Sequence, residues 1–347
     1  MKREPHVLVL DRDAALYVDA IEAVNSDLQV IGVEDESKAI EISQTCEVLV
    51  ALAHVVSARL VAAMPQLKFV QALTTGTDHL TKLDLPADVV IASMRGIHGP
   101  QIAEVAFLYM IALSRQFIAM QANQRARRWE RWPQRLLMDK TLVIVGIGAI
   151  SEALALRARA FAMHVLGVSD YRTQAIGFDE VHPRWDLNAV AARADFLVVL
   201  APLTDATRRM IDSETLKAMK PGSILINLAR GPVVDEAALI EALQSGHLGG
   251  AGLDVFEVEP LPSDSPLWDM PHVILTPRIG GMSDVYVKQA LPVVLHNLAA
   301  WRRGDTHALR NRLALRLGDR LWRSASALNI ARLWVNWNAG GGSCGRQ

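Results

Sequence analysis

The run Leu142-Val143-Ile144-Val145-Gly146-Ile147-Gly148-Ala149-Ile150-Ser151 decides the fold of this chain. Its opening residues are apolar and mostly β-branched, and so short and even an apolar stretch suits a parallel strand buried on both faces. Glycines then turn the chain, and a segment rich in Ala and Leu follows with helical spacing. In that context Gly146 permits a tight turn. Gly148 lets the backbone approach a pyrophosphate seated on the helix amino terminus. Ser151 takes the third small position of the fingerprint, where it still allows the helix to pack closely on the strand. Gly146, Gly148, Ala149 and Ile150 are therefore expected to form the phosphate loop of an NAD or NADP site.

Outward from this loop, short β-branched runs alternate with helical patterns. Downstream strands are expected at 165–168, 196–200, 224–228, 251–255 and 273–275, with a helix over 235–244 that stops at Gly246. Upstream, the runs 7–10, 29–33, 48–52, 68–73 and 89–92 predict the strands of a first α/β unit. Pro100 then opens a long helix to about Ser114, and the Arg- and Trp-rich stretch 125–135 predicts a surface excursion. A helix over 284–303 is expected to pack back on the first unit. The fold class is thus α/β, with two Rossmann- or flavodoxin-like domains built on parallel sheets. The substrate domain comprises 1–99 and 283–312 and is discontinuous, because the dinucleotide-binding domain, 100–282, is inserted into it. The Arg/Trp-rich tail 313–347 is assigned no chemistry.

Composition narrows the classes. The chain has 347 residues, 51% of them hydrophobic, and a formal net charge of −1, which suits a globular protein and gives no footprint for nucleic acid or a membrane surface. The first apolar run is too short for a signal peptide, and the helical stretch 102–113 carries Glu104 and is too short to span a bilayer. Cys46 and Cys344 are far apart and lack metal-ligand spacing, so no metal and a reducing, cytoplasmic compartment are expected.

Two further stretches carry chemistry. Ser169-Asp170-Tyr171-Arg172 ends the strand after the phosphate loop, where an adenosine ribose is read. Asp170 would accept from both ribose hydroxyls and favour NAD, whereas Ser169 with Arg172 would hold a 2′-phosphate and favour NADP. Met219-Lys220-Pro221-Gly222-Ser223-Ile224-Leu225-Ile226-Asn227-Leu228-Ala229-Arg230-Gly231 reads as a Pro-Gly turn, a buried strand and a guanidinium at the strand's carboxyl end. That edge binds ligands in an open parallel sheet, and an Arg fork suits the carboxylate of an α-keto acid.

With these residues in view, the chain resembles the D-isomer-specific 2-hydroxyacid dehydrogenases, in particular the glyoxylate/hydroxypyruvate reductase-like branch. The blocks that carry the resemblance are Thr74-Thr75-Gly76-Thr77-Asp78-His79-Leu80, Gly96-Ile97-His98-Gly99, the glycine loop, Ala201-Pro202-Leu203-Thr204-Asp205-Ala206-Thr207 and the Arg230 block. Gly252-Leu253-Asp254-Val255-Phe256-Glu257-Val258-Glu259-Pro260 and Trp268-Asp269-Met270-Pro271-His272-Val273-Ile274-Leu275-Thr276-Pro277 complete them. The resemblance implies that Arg230 holds the carboxylate and carbonyl of a 2-oxo acid, with backbone groups at Thr75 and Gly76 binding the carboxylate from the other domain. Glu259 would partner the proton-transfer group, Asp254 would contact the nicotinamide side, and Pro202, Thr207, Leu228 and Ala229 would line the cofactor. It also implies a homodimer through the helix after Gly99, and a cleft closing about hinges near Gly99 and Gly281.

One departure bears on mechanism. Family members usually place a histidine after the Thr-Pro of the last block, as the acid/base. Here Arg278 occupies that position. Imidazole exchanges a proton near neutral pH, whereas a guanidinium stays protonated. Arg278 paired with Glu259 would polarise a carbonyl without serving as a base. His79 and His98 at the predicted cleft are alternative proton sources, ahead of His272 across a strand. The expected function is hydride transfer between a nicotinamide cofactor and a small 2-oxo or 2-hydroxy acid, favouring reduction. The alternative is a dinucleotide-binding protein with little turnover, acting as a redox sensor or interaction module.

Overall fold

The computed structural model describes residues 6–313. Two all-parallel sheets organise it. The first contains β1 (His6–Leu10), β2 (Gln29–Val33), β3 (Cys46–Ala51), β4 (Phe69–Ala72) and β5 (Val90–Ala92), in the order β2-β1-β3-β4-β5. The second contains β6 (Thr141–Val145), β7 (His164–Val168), β8 (Glu180–His182), β9 (Phe196–Val199), β10 (Ile224–Asn227), β11 (Gly250–Leu253) and β12 (Val273–Leu275). Its order is β12-β11-β10-β9-β6-β7-β8.

The even apolar runs follow from burial on both faces. In β6, Val143 and Val145 face one core while Leu142 and Ile144 face the other. In β1, Val7 and Val9 are divided from Leu8 and Leu10 in the same way. Each such side chain, fully buried, contributes roughly 1.5–3 kcal/mol relative to exposure. Helices supply the outer layers. The chain forms α1 (Ala14–Val24), α2 (Glu36–Ile42), α3 (Ala58–Ala63), α4 (Gly99–Ser114), α5 (Phe117–Arg125), α6 (Ala149–Ala160), α7 (Leu187–Ala191), α8 (Ser213–Ala218), α9 (Glu236–Gln244) and α10 (Tyr286–Arg302). α1 and α10 cover one face of the first sheet, and α2 and α3 the other. In the second sheet α4 and α6 share one face, and α7, α8 and α9 share the opposite one.

Some helix ends are written in the sequence. Asp235 caps α9 by accepting from the Ala238 N–H, and Gly246 beyond it adopts φ +72°. Pro100 sits in the first turn of α4. Gly252 has a packing reason: a Cβ there would fall 2.4 Å from the Tyr109 ring, so the glycine lets α4 lie close on β11.

Two elements depart from the sequence expectation. β8 adds an edge strand of three residues, too short for a periodic signal, with Glu180 tied to Arg193 at 2.7 and 2.8 Å. α5 is the other addition: Gln116, at φ 55°, breaks it from α4, it buries none of its residues, and it ends at Arg125, where the Arg- and Trp-rich stretch begins. Among the described residues, no single helix is long and apolar enough to cross a membrane. Residues 314–347, with Cys344, lie outside the described residues, as do 1–5.

Candidate active site

β6 lies between β7 and β9, so the chain leaves it in opposite directions on either side. The crevice at the carboxyl ends of such strands is where open α/β sheets take ligands. Gly146 turns there with φ +96°, and a Cβ on it would fall 2.5 Å from the Ala201 nitrogen. Only glycine allows the β9 loop to lie so close. Ser151 is buried and clasps the turn: its hydroxyl donates to the Gly146 carbonyl at 2.7 Å and accepts from the Gly148 N–H at 2.9 Å. A Cβ on Gly148 would meet nothing within 4 Å, so open space faces the amino terminus of α6. The N–H groups of Ala149 and Ile150 in that first turn have no intrahelical acceptor, and the helix dipole adds to their attraction for an anion. Open space plus free donors fit the pyrophosphate of a dinucleotide.

At the end of β7, Ser169 Oγ accepts from the Tyr171 and Arg172 N–H groups, each at 3.2 Å. Asp170 pairs with Arg184 at 3.3 Å, and Arg172 with Glu152 at 2.8 Å. This edge offers a carboxylate suited to a ribose diol and guanidinium groups suited to a 2′-phosphate. In the loop after β9, Thr207 Oγ1 donates to the Pro202 carbonyl at 2.6 Å and accepts from the Thr204 N–H at 2.8 Å, fixing the loop's shape. Leu228 and Ala229 are buried between β10 and Arg230. Asn227 holds this corner, accepting from the Ala229 N–H and donating to the Arg230 carbonyl, both at 3.1 Å.

Arg230 leaves β10 and crosses to the other sheet. Its guanidinium lies so close to Gly76 that a Cβ there would fall 1.6 Å from Nη2. Asp78 Oδ1 accepts from Nε at 3.1 Å and Nη2 at 2.9 Å, while Nη1 donates to the Ala229 carbonyl at 2.7 Å. Burial works to raise the Asp78 carboxyl, but the Arg230 hydrogen bonds and charge outweigh it and hold it below the ordinary carboxylate value. Each terminal nitrogen of Arg230 keeps one N–H for a ligand. Behind Gly76, Thr75 Oγ1 contacts His98 Nδ1 at 2.8 Å, and His98 Nε2 contacts the Tyr286 hydroxyl at 3.2 Å. Burial pulls the His98 imidazole down to about 4, with a hydrogen bond to the Met94 carbonyl acting the other way.

Arg278 lies against Glu259, donating Nη1 to Oε2. Its backbone is left-handed at φ 56°, a conformation disfavoured for side chains other than glycine. The loop is held from behind by Asp254, which accepts from Thr276 Oγ1 at 2.5 Å and from the Ile279 and Gly280 N–H groups, each at 2.9 Å. Burial raises the Asp254 carboxyl, and these hydrogen bonds offset only part of that. In this structure Asp254 therefore serves as the anchor of the loop carrying Arg278. Tyr109, placed by Gly252, hydrogen-bonds Thr276 from α4. His272 stands at the opposite end of β12 from Arg278, with its Nε2 buried and unpartnered. His79 spends its Nε2 on the Val56 carbonyl at 2.8 Å.

The family model for the NAD binding domain of D-isomer specific 2-hydroxyacid dehydrogenases matches residues 107–280. The chain belongs to the D-isomer specific 2-hydroxyacid dehydrogenase family. A solved family protein from Aeromonas salmonicida superimposes with a TM-score of 0.83 at 32% identity, covering 90% of this chain and 99% of that one. The NADPH-dependent glyoxylate/hydroxypyruvate reductase of Sinorhizobium meliloti, solved with NADP and sulfate, gives 0.77 at 28% identity, covering 90% and 98%. D-3-phosphoglycerate dehydrogenase of Mycobacterium leprae is 35% identical over 289 residues, 80% of this chain but 53% of its own length. The chain thus spans about half the length of the mycobacterial relatives it matches.

Two cleft residues had no role in the sequence reading of this family member. Asp78 stood inside a quoted block, and its bond to Arg230 spans 152 positions. His54 lies in a short turn after β3, just past the strand expected at 48–52; its electrostatic neighbours include Arg278, Glu259 and Arg230.

Proposed function

We propose that this chain is a nicotinamide-dependent oxidoreductase that reduces a small 2-oxo acid to the D-2-hydroxy acid. The observation that carries the proposal is Arg230, held by Asp78 across the cleft with donors to spare, beside a phosphate cradle that fits a dinucleotide. When bound, the nicotinamide supplies the hydride. Arg230 binds the carboxylate and orients the carbonyl, and backbone groups at Thr75 and Gly76 close the carboxylate pocket from the other sheet. Arg278, fixed by Glu259, adds a charged donor that stabilises negative charge developing on the carbonyl oxygen. A guanidinium accepts no proton at neutral pH, so alcohol oxidation suffers more than reduction. Ala149 and Ile150 receive the pyrophosphate; Asp170, Ser169 and Arg172 receive the ribose; Pro202, Thr207, Leu228 and Ala229 border the cofactor. The likeness to the S. meliloti reductase supports small 2-oxo acids as substrates.

The Arg278–Glu259 ion pair itself favours a second reading, a dinucleotide-binding protein with little turnover. The discriminating measurement is NADH and NADPH oxidation with glyoxylate, hydroxypyruvate and phenylpyruvate, wild type beside Arg278→His. Turnover by wild type establishes the reductase. Silence in wild type with activity in the variant establishes the second reading. For assembly, the exposed apolar side chains Leu108, Ile111 and Phe117 border a groove of about 870 Å³ with Trp132, and we assign this face to a homodimer contact. Light scattering at the mass of a single chain would refute that. Buried Cys46, its thiol pushed up to about 11 by burial, is a free and unreactive cysteine that suits a cytoplasmic setting.

A further inference from the structure

A guanidinium stays protonated through the neutral range, so a reductase built around Arg278 needs its proton from another group. The histidines near the cleft differ in what they are free to do. His79 is tied to the Val56 carbonyl. His98 is buried with Thr75 on one ring nitrogen and Tyr286 on the other. His54 is exposed, in the turn Ala53–Val55 just beyond β3, and among the described residues no hydrogen bond ties its ring.

The placement of that turn is fixed by its neighbours. β3 and β4 pair in parallel, so the turns that follow them open at the same edge of the sheet. The His79–Val56 hydrogen bond holds the two turns side by side. The β4 turn in turn presents Gly76 and Asp78 to Arg230. The turn that carries His54 therefore borders the cleft where a substrate carbonyl held by Arg230 would lie. Arg230, Glu259 and Arg278 act on His54 from across the cleft, and His79 from its own side.

Resting on the reductase reading above, we infer that His54 is the proton donor of this site, supplied from the opposite sheet to do what Arg278, standing in the histidine's place, cannot. The 2-oxo carbon gains the hydride that the reduced nicotinamide loses, and the carbonyl oxygen gains the proton of the His54 imidazolium. The products are the 2-hydroxy acid, the oxidised nicotinamide and a neutral imidazole that recovers its proton from water. Desolvation of the ring and then the Arg278 charge hold the His54 imidazole below its ordinary value, with His79 and Arg230 adding to the effect and Glu259 opposing it. A bound carboxylate offsets the cationic neighbours and raises it again. The proton thus loads onto His54 best when the substrate is in place.

The test uses wild type and His54→Gln, with glyoxylate reduction followed across pH and the His54 ring followed by NMR in the chain without cofactor. Loss of a positioned acid costs about 10²-fold or more, so the variant should fall by that factor in kcat while KM changes little. The wild-type rate should rise as pH falls toward the His54 titration, and the variant's profile should be flat there. Independently of turnover, oxalate should move the His54 titration to higher pH. Wild-type turnover with an unimpaired variant, or a His54 titration that ignores oxalate, overturns the assignment and leaves the reductase reading standing. Absence of wild-type turnover on any 2-oxo acid overturns the reductase reading, and the assignment falls with it.

Discussion

His98 should make this fold sensitive to mild acid, by an amount the structure sets. Its ring is buried between Thr75 and Tyr286, both nitrogens are engaged, and no carboxylate hydrogen-bonds to it among the described residues. Burial lowers its folded value from 6.5 to about 4. Because the folded value is depressed, the unfolded chain binds the proton more tightly. The stabilisation from keeping His98 neutral is therefore complete above 6.5 and lost as pH falls toward 4. The gap corresponds to about 3 kcal/mol in full, most of which is already gone at a pH of about 4.5. The perturbation is His98→Gln, whose amide can hydrogen-bond both neighbours but does not titrate. Urea unfolding near pH 7.5 and pH 4.5, followed by tryptophan fluorescence, should show wild type losing about 2–3 kcal/mol more than the variant. Carboxylates common to both chains cancel in that difference. Parallel losses in the two proteins would refute the reasoning, because His98 would then be protonated without penalty.

Other expectations concern the cleft. Arg278→His should raise 2-oxo acid reduction by about ten-fold or more in steady-state kinetics, since it places a titratable partner beside Glu259; no gain would mean that the surroundings have been remodelled too. Arg230→Ala should abolish binding of a 2-oxo acid analogue by calorimetry while leaving NADH affinity nearly unchanged, and equal loss of both would contradict its role. Gly148→Val should weaken NADH binding about ten-fold or more by fluorescence titration, because the side chain enters the space kept for the pyrophosphate. Its urea midpoint should stay near that of wild type, because a Cβ at Gly148 meets nothing within 4 Å.

The sheets were legible because burial on both faces leaves unbroken apolar runs, as in β6 and β10, and because Gly146 and Gly148 punctuate the strand-to-helix turn. β8 was not legible, because three residues with polar ends at a sheet edge leave no periodic trace. α5 was hidden by composition, since a helix that buries nothing needs no apolar stripe. In the cleft, its place at the carboxyl end of a strand singles out Arg230, and the family resemblance singles out Glu259 and Arg278. Contacts across the two sheets could not be read, as the Asp78–Arg230 pair illustrates, because they depend on which turns share an edge. The position of His54 beside the β4 turn is of the same kind.

The pairing of charges along the cleft determines how an anion arrives. Arg230 meets Asp78, Arg278 meets Glu259, Arg172 meets Glu152 and Arg184 meets Asp170. Each cation is neutralised before any ligand enters, so little positive potential extends beyond a Debye length to draw carboxylates in from solution. An incoming acid is selected at contact range, by whether it can occupy the remaining N–H groups of Arg230 beside a carboxylate already in residence. Small planar anions satisfy that condition. Bulky or multiply charged ones are met by Asp78 and Glu259 as readily as by the guanidinium groups, and the cleft discriminates by shape where an unpaired arginine would have gathered every anion alike.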